Sequence, residues 1–256
     1  MITALKSIKP NIRRLKEMTD IVYDREWLKK ADPETELYYV WRDIAENDQD
    51  RKKIARLGLR YDITQFAPLT LGIEFNKTFG HTHSPVPGSG LSYTEIYEVL
   101  EGEVCFLFQK FNREKSQQDK IEDIFAVRCL AGDKYIIPPG YAHISVNPTE
   151  KKTVLANWLA VASQQDYQEI KEMKGAGYYA IKPASRRGES QQDKSENGLN
   201  INWIKNQNYS AVPKLRFVQP NNLSQFGISQ DQPMYHLVNS LEKLDFLKNP
   251  QNYLWN

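Results

Sequence analysis

Cysteine, long apolar runs and charge of one sign are all scarce in this chain of 256 residues. Only Cys105 and Cys129 occur, far apart and in strand-like surroundings, which excludes a disulfide framework and every zinc spacing built on paired cysteines. Two reduced, buried thiols are the expectation. No stretch approaches the roughly 20 apolar residues needed to span a bilayer, and the opening MITALKSIKPNIRRLKEM lacks the apolar run of a secretory signal. These absences predict a cytoplasmic protein with no membrane partner. Lys and Arg number 34 against 32 Asp and Glu, a net charge of +2, and no basic stripe or basic helix stands out. A row of phosphates would go unneutralised, so nucleic acid is not an expected partner.

What is present is enough apolar material, 40% of residues, for one sizeable core. Residues 1–60 read as an N-terminal arm with strands. Within it Asn11 to Met18 (NIRRLKEM) suggests a short helix or basic arm, suited to packing on a partner subunit, and Glu36 to Trp41 (ELYYVW) a strand. Residues 61–184 are strand-rich with turn signals at short intervals, the pattern of an all-β sandwich or barrel. Residues 185–200, almost without apolar side chains, read as a polar, flexible loop. Residues 201–256 are a C-terminal extension in which Leu237, Leu241, Leu244 and Leu247 fall at helical spacing, predicting an amphipathic helix docked on the core or on a neighbour.

The central region can be read strand by strand. Leu69, Leu71, Ile73 and Phe75 alternate with Thr70, Gly72, Glu74 and Asn76, as in one half-buried strand. Continued through Lys77 and Phe79, that parity sends His81 and His83 to the inward face. A Pro/Gly/Ser-rich loop, Ser84 to Ser92, leads to a strand over Thr94 to Leu100 in which Glu95 and Tyr97 share a face. Glu101-Gly102 reads as a hairpin turn into Val104 to Phe108, Gly132-Asp133 and Pro139-Gly140 as further turns, and His143 lies on the strand that follows. Three of the four histidines therefore occupy turn-bounded strands; the fourth, His236, sits on the amphipathic segment and receives no role. Three imidazoles and a carboxylate suit one divalent ion, Fe, Mn, Ni or Zn, and leave octahedral positions open for substrate or water.

The segments GHTH (80–83), EIYEVLEG (95–102) and GDKYIIPPGYAHISVN (132–147) resemble the two cupin motifs, and in detail those of the archaeal-type, cupin glucose-6-phosphate isomerases. NIRRLKEM (11–18), DITQFAP (62–68), EFNKTFGHTH (74–83) and QDYQEIKEMKG (165–175) are similar to that family in order and spacing, so the likeness covers roughly the first 180 residues. It implies a cupin-type β-barrel or jelly roll and a homodimeric isomerase. The reaction implied is interconversion of glucose 6-phosphate and fructose 6-phosphate in glycolysis and gluconeogenesis. Carried over by position, His81, His83, Glu95 and His143 would be the metal ligands. Thr64, Thr78 and the backbone of Gly80 would hold the substrate phosphate, and Tyr97 and Tyr167 would line the sugar site. Two departures are visible. The loop between His83 and Glu95 is longer than the family pattern, and where the family carries a substrate-contacting tyrosine upstream of Tyr167 this chain reads Asn157-Trp158-Leu159-Ala160.

The chemistry agrees with that resemblance. Moving hydrogen between C2 and C1 of an aldose needs a polarised carbonyl and a base, with Glu95 the attractive candidate and Tyr97 beside it. Thr78 and His81 have opposite strand parity, so a bend near Gly80 is required if both face one site. A non-haem iron dioxygenase and a non-catalytic sugar-phosphate-binding cupin use the same scaffold and remain the alternatives. Apolar Ile96, Leu100 and Leu107 suggest strands covered on more than one face, as in a two-fold dimer.

Overall fold

The computed structural model describes residues 8–114, 119–183, 200–220 and 223–255. Apart from Asn200, the polar loop expected at 185–200 lies outside them. Sixteen strands are numbered in chain order. The first six are β1 (Asn11–Arg14), β2 (Glu36–Trp41), β3 (Leu59–Phe66), β4 (Thr70–Leu71), β5 (Glu74–Phe75) and β6 (Thr82–His83). Next come β7 (Glu95–Glu101), β8 (Glu103–Phe111), β9 (Ile121–Leu130), β10 (Lys134–Ile137), β11 (Ala142–Val146) and β12 (Thr153–Ala160). The last are β13 (Gln165–Asp166), β14 (Tyr178–Ile181), β15 (Asn202–Lys205) and β16 (Arg216–Val218).

The all-β, cupin-type core takes the form of two facing sheets. One has the order β1-β2-β3-β12-β7-β10 and the other β11-β8-β9-β16. Phe66, Val99, Leu155 and Ile137 of the first meet Phe106, Phe108, Phe125 and Val127 of the second in a single apolar cluster. Alternation explains this, since each strand sends every second side chain into the shared layer. The turn at Glu101-Gly102 is not a hairpin: β7 and β8 belong to different sheets, so this corner passes the chain across the sandwich. Gly132-Asp133 and Pro139-Gly140 do the same for β9 to β10 and β10 to β11. Turn residues mark where a chain reverses; which strand it pairs with afterwards is a tertiary matter.

The continuous strand expected over Leu69 to Phe75 is in fact a tight hairpin of β4 and β5, with Thr70 opposite Phe75 and Leu71 opposite Glu74. Gly72 adopts φ +67°, and a Cβ there would come within 2.2 Å of Asp24 Oδ2 and 2.7 Å of Trp27 Cβ. The reversal breaks the predicted alternation: Leu71 and Phe75 are buried as expected, but Ile73 is 48% exposed and Glu74 is fully buried. Parity counted from Leu69 therefore does not orient His81 and His83. Gly80 does, at φ +84°, with a Cβ position only 2.5 Å from Ile144 Cγ1. This is the bend that Thr78 and His81 require, and both side chains line one cavity.

The segment Asn11 to Met18 is strand β1 followed by a 3-10 turn at Leu15–Glu17, not a helix. It packs on its own core. Leu15, Met18 and Ile21 are fully buried, and the buried Lys77 donates to Ile21 O at 2.7 Å while pairing with Glu74 at 2.5 Å.

The C-terminal leucines do not form an α-helix either. Two 3-10 segments, Met234–Asn239 and Leu241–Leu247, are separated by Ser240, whose φ of −150° breaks the helical run. Three residues per turn aligns Leu241, Leu244 and Leu247 on one edge, and all are buried. They cover the outer face of the six-stranded sheet, packing with Tyr61, Ile96, Ile136 and Trp158. Trp158 Nε1 donates to Met234 O at 3.1 Å, and Thr94 Oγ1 donates to Phe246 O at 3.0 Å. Ile96 is thus covered by the chain's own tail, Leu107 lies with Ile21, Phe79 and Tyr178 on the other face of its sheet, and Leu100 is 37% exposed. Two of the three apolar residues that suggested a dimer are covered within one chain.

Candidate functional site

The four expected ligand residues come from four separate places and meet. An isolated bridge pairs His81 with His143, closed by His143 N donating to His81 O at 3.1 Å. His83 ends the short strand β6 and pairs with Gln165 of β13. Glu95 opens β7 in the opposite sheet. The ring centroids of His81 and His143 are 4.3 Å apart, and His83 lies 5.2 Å from each. One ligand atom from each of the four residues lies within 4.8 Å of the others, and all four residues are buried. Bonds of about 2.0–2.2 Å to one ion put ligand atoms at most about 4.4 Å apart, so a small inward movement suffices.

The donor set fits a cation chemically. His81 Nε2, His83 Nε2, both His143 ring nitrogens and Glu95 Oε2 are buried without a hydrogen-bond partner. Orphaned polar atoms are costly, and five in one place imply a missing occupant. His83 Nδ1 faces Tyr93 O at 3.1 Å; a carbonyl only accepts, so Nδ1 carries the proton and Nε2 keeps its lone pair for a metal. Glu95 Oε2 lies 3.1 Å from His83 Nε2 and 3.5 Å from His143 Nε2, close enough for strong electrostatic coupling though not aligned as hydrogen bonds.

Ionisation follows from the same packing. Burial, reinforced by His143 and His83, holds the His81 imidazole well below its ordinary range. Burial likewise lowers His143 to about 3, although Glu95 opposes it. For Glu95 burial pushes the carboxyl up, but His83 and His143 overcome it and leave the group below its usual value. At neutral pH His81 and His143 are neutral and Glu95 is a carboxylate, the forms that coordinate a metal.

Thr64, Thr78, Gly80, His81, Glu95, Tyr97, His143 and Tyr167 all line one cavity of about 60 Å³. His83 instead faces an open groove of about 1,240 Å³ on the far side, and Gln165 lines both. Tyr97 has its phenol pushed well above the ordinary value by burial and by the charge of the neighbouring Glu95. Tyr167 lies 5.4 Å from the His81 ring, and its hydroxyl donates to Gln165 Oε1.

The cavity also contains residues that the sequence reading passed over: Arg13, Arg42, Asp62 and Asn157. Arg13 sits on the edge strand β1 with its guanidinium 5.8 Å from the Tyr167 ring. Arg42 pairs with Asp62 at 3.3 Å, and Arg60 reaches the same carboxylate at 2.9 Å. Asn157 donates from Nδ2 to Glu95 Oε1 at 2.6 Å. One signal for it was available: Asn157 interrupts the otherwise apolar run Val154 to Val161.

Among solved structures, the chain is similar to a vicilin from Capsicum annuum, at 14% identity over 50% of this chain and 30% of that one, with a TM-score of 0.34. A recombinant oxalate oxidase in complex with glycolate matches at 21% identity over 47% and 49%, TM-score 0.31. An oxalate decarboxylase formate complex from Lactobacillus farciminis matches at 15% over 60% and 31%, TM-score 0.35. The chain spans less than half the length of each of these proteins, and scores this low add nothing to the assignment. No curated protein matches the chain. The family model for glucose-6-phosphate isomerase (GPI) matches residues 12–197, well over half of the chain and all of the cavity just described. The chain belongs to the glucose-6-phosphate isomerase family.

Proposed function

We propose that this protein is a metal-dependent isomerase that interconverts glucose 6-phosphate and fructose 6-phosphate, a cytoplasmic step of glycolysis and gluconeogenesis. One observation carries the reading. Four unpartnered ligand groups meet around a cavity that also presents two guanidinium groups and two threonine hydroxyls, in a chain of this family.

A divalent cation held by His81, His83, Glu95 and His143 would supply a Lewis acid beside the sugar carbonyl. The rest falls to the chain's own groups. Arg13 and Arg42 bring positive charge to the cavity and draw in the phosphate dianion. Thr78 Oγ1 accepts from Ser145 N at 3.0 Å, which leaves its own proton free for a phosphate oxygen. Thr64 and the Gly80 N–H complete the phosphate cradle. Orientation by a remote phosphate places C1 and C2 without any group having to touch them first. Tyr97 stays neutral and offers a proton to a sugar oxygen, while Tyr167 walls the sugar. Glu95 and Tyr97, on one face of β7, flank the carbons between which hydrogen moves. A metabolite pocket usually measures roughly 300 Å³ or more, so binding displaces side chains from this smaller cavity, Arg13 and Tyr167 first.

A coupled assay with fructose 6-phosphate, run with chelator and then with added divalent metals, tests the reading. Turnover that chelation abolishes and metal restores is the expected result; sugar-phosphate binding without turnover under any metal would sink it. Mannose 6-phosphate run beside glucose 6-phosphate reports the configuration accepted at C2. Deuterium from solvent at C1 or C2 of product would show that the hydrogen moves as a proton, as a Glu95 base requires; no exchange at all would count against Glu95 as the base. Pairing of two chains belongs to the same reading. It must use a surface other than the outer face of the six-stranded sheet, and sedimentation velocity checks the assembly.

A further inference from the structure

Strand β12 runs between β3 and β7, placing Asn157 opposite Tyr97 on one side and Asp62 on the other. Its amide is buried beside the cavity that Asp62 and Glu95 also line, and Nδ2 donates to Glu95 Oε1 at 2.6 Å. The second carboxylate oxygen, Oε2, has no hydrogen-bond partner and faces His83 and His143. The two oxygens of Glu95 are therefore in unlike environments.

That asymmetry has a physical consequence. The terminal torsion of a glutamate is broad and two-fold, so an unrestrained carboxylate exchanges its oxygens and can offer both to one ion. A donor on Oε1 removes the degeneracy, and a charge-assisted bond of this length is strong. We propose that Asn157 is a positioning residue. It holds Glu95 as a one-oxygen ligand through Oε2, keeps Oε1 out of the coordination shell, and so preserves a position for the substrate. The proposal rests on the metal site described under the proposed function. It also gives a purpose to one departure from the family pattern, since Asn157 opens the stretch that lacks the family's tyrosine.

Two measurements test it, neither depending on turnover. In a crystal structure of the Mn²⁺-loaded wild-type protein, Glu95 should bind through Oε2 alone with Oε1 still on Asn157; both oxygens on the ion would overturn the proposal. Asn157→Leu and Asn157→Asp keep the side-chain size and remove the donor. Second-shell partners of metal ligands typically change affinity 10–100-fold, so each variant should bind Mn²⁺ roughly that much more weakly and shift the visible spectrum of bound Co²⁺. If Asn157→Leu fails to fold, Asn157→Asp and the wild-type crystal structure decide. Variants with wild-type Mn²⁺ affinity and Co²⁺ spectrum would end the positioning role while leaving the isomerase reading intact. A wild-type protein that binds no divalent cation would overturn both.

Discussion

Asp62 is the residue whose burden is easiest to measure. Burial raises its carboxyl from 3.8 to about 6, against the pull of Arg60, the Asp43 N–H and Arg42. The native state then holds this proton more tightly than the unfolded chain does, so the contribution of Asp62 to stability is full below pH 4 and is lost as pH rises through 6. The loss amounts to about 3 kcal/mol for a shift of this size. Denaturant unfolding of wild type and Asp62→Asn at pH 4 and pH 7.5 should show the variant escaping that loss; parallel pH profiles would contradict it. Gly80 makes a second residue-scale prediction. With φ +84° and Ile144 Cγ1 2.5 Å from the missing Cβ, Gly80→Ala should cost roughly 2 kcal/mol. Ile144→Ala in the same chain should recover part of that, and a double-mutant cycle measures the coupling.

At the scale of elements, the ligand strands are short and depend on what lies behind them. β7 carries Glu95 inward and Ile96 outward, and Ile96 is buried against the C-terminal 3-10 segments. Met234 N donates to Glu98 Oε2 at 2.9 Å and Lys134 Nζ to Gln230 O at 2.8 Å, tying that tail to β7 and β10. Leu244 is fully buried there, so Leu244→Ala should destabilise by about 2–5 kcal/mol in urea unfolding. A surface-like loss under 0.5 kcal/mol would mean that the tail does not dock as described. Legibility differed sharply between elements. Strand β2 could be read locally from its aromatic and β-branched content, and β7 from Glu95 and Tyr97 falling on one face of a short run. The β4-β5 hairpin could not, because Gly72 reverses the chain inside a run whose apolar period continues undisturbed. The tail leucines fit α and 3-10 spacing almost equally well over so few turns, and the sheet beneath them selected the latter.

For the whole molecule, metal, fold and ionisation are one linked system. One cation would satisfy four of the five orphaned atoms, one from each residue, so it should stabilise folding by mass action. At a free concentration of 100 times the dissociation constant the gain is about 2.7 kcal/mol. Thermal unfolding with and without chelator should show the shift in wild type and not in His143→Gln; equal shifts in both would place the cation elsewhere. The arm and the tail complete the same unit from opposite ends. Glu74 and Lys77 hold the N-terminal turn, and the C-terminal segments close the outer sheet face.

The sequence by itself determined which residues could ligate and roughly where. Histidine is scarce, three of the four sit on short turn-bounded strands, and side-chain chemistry is a property of the residue alone. It also determined that the core would be β, since alternation and turn residues act over a few positions. The tertiary structure alone decided which strands cross between sheets, that the tail covers the outer face, and that Arg13, Arg42 and Asn157 join the cavity. Asn157 and Glu95 are 62 residues apart, and Met234 and Trp158 are 76 apart. Contacts at that separation depend on strand register and sheet order, which only the packing of the whole chain selects.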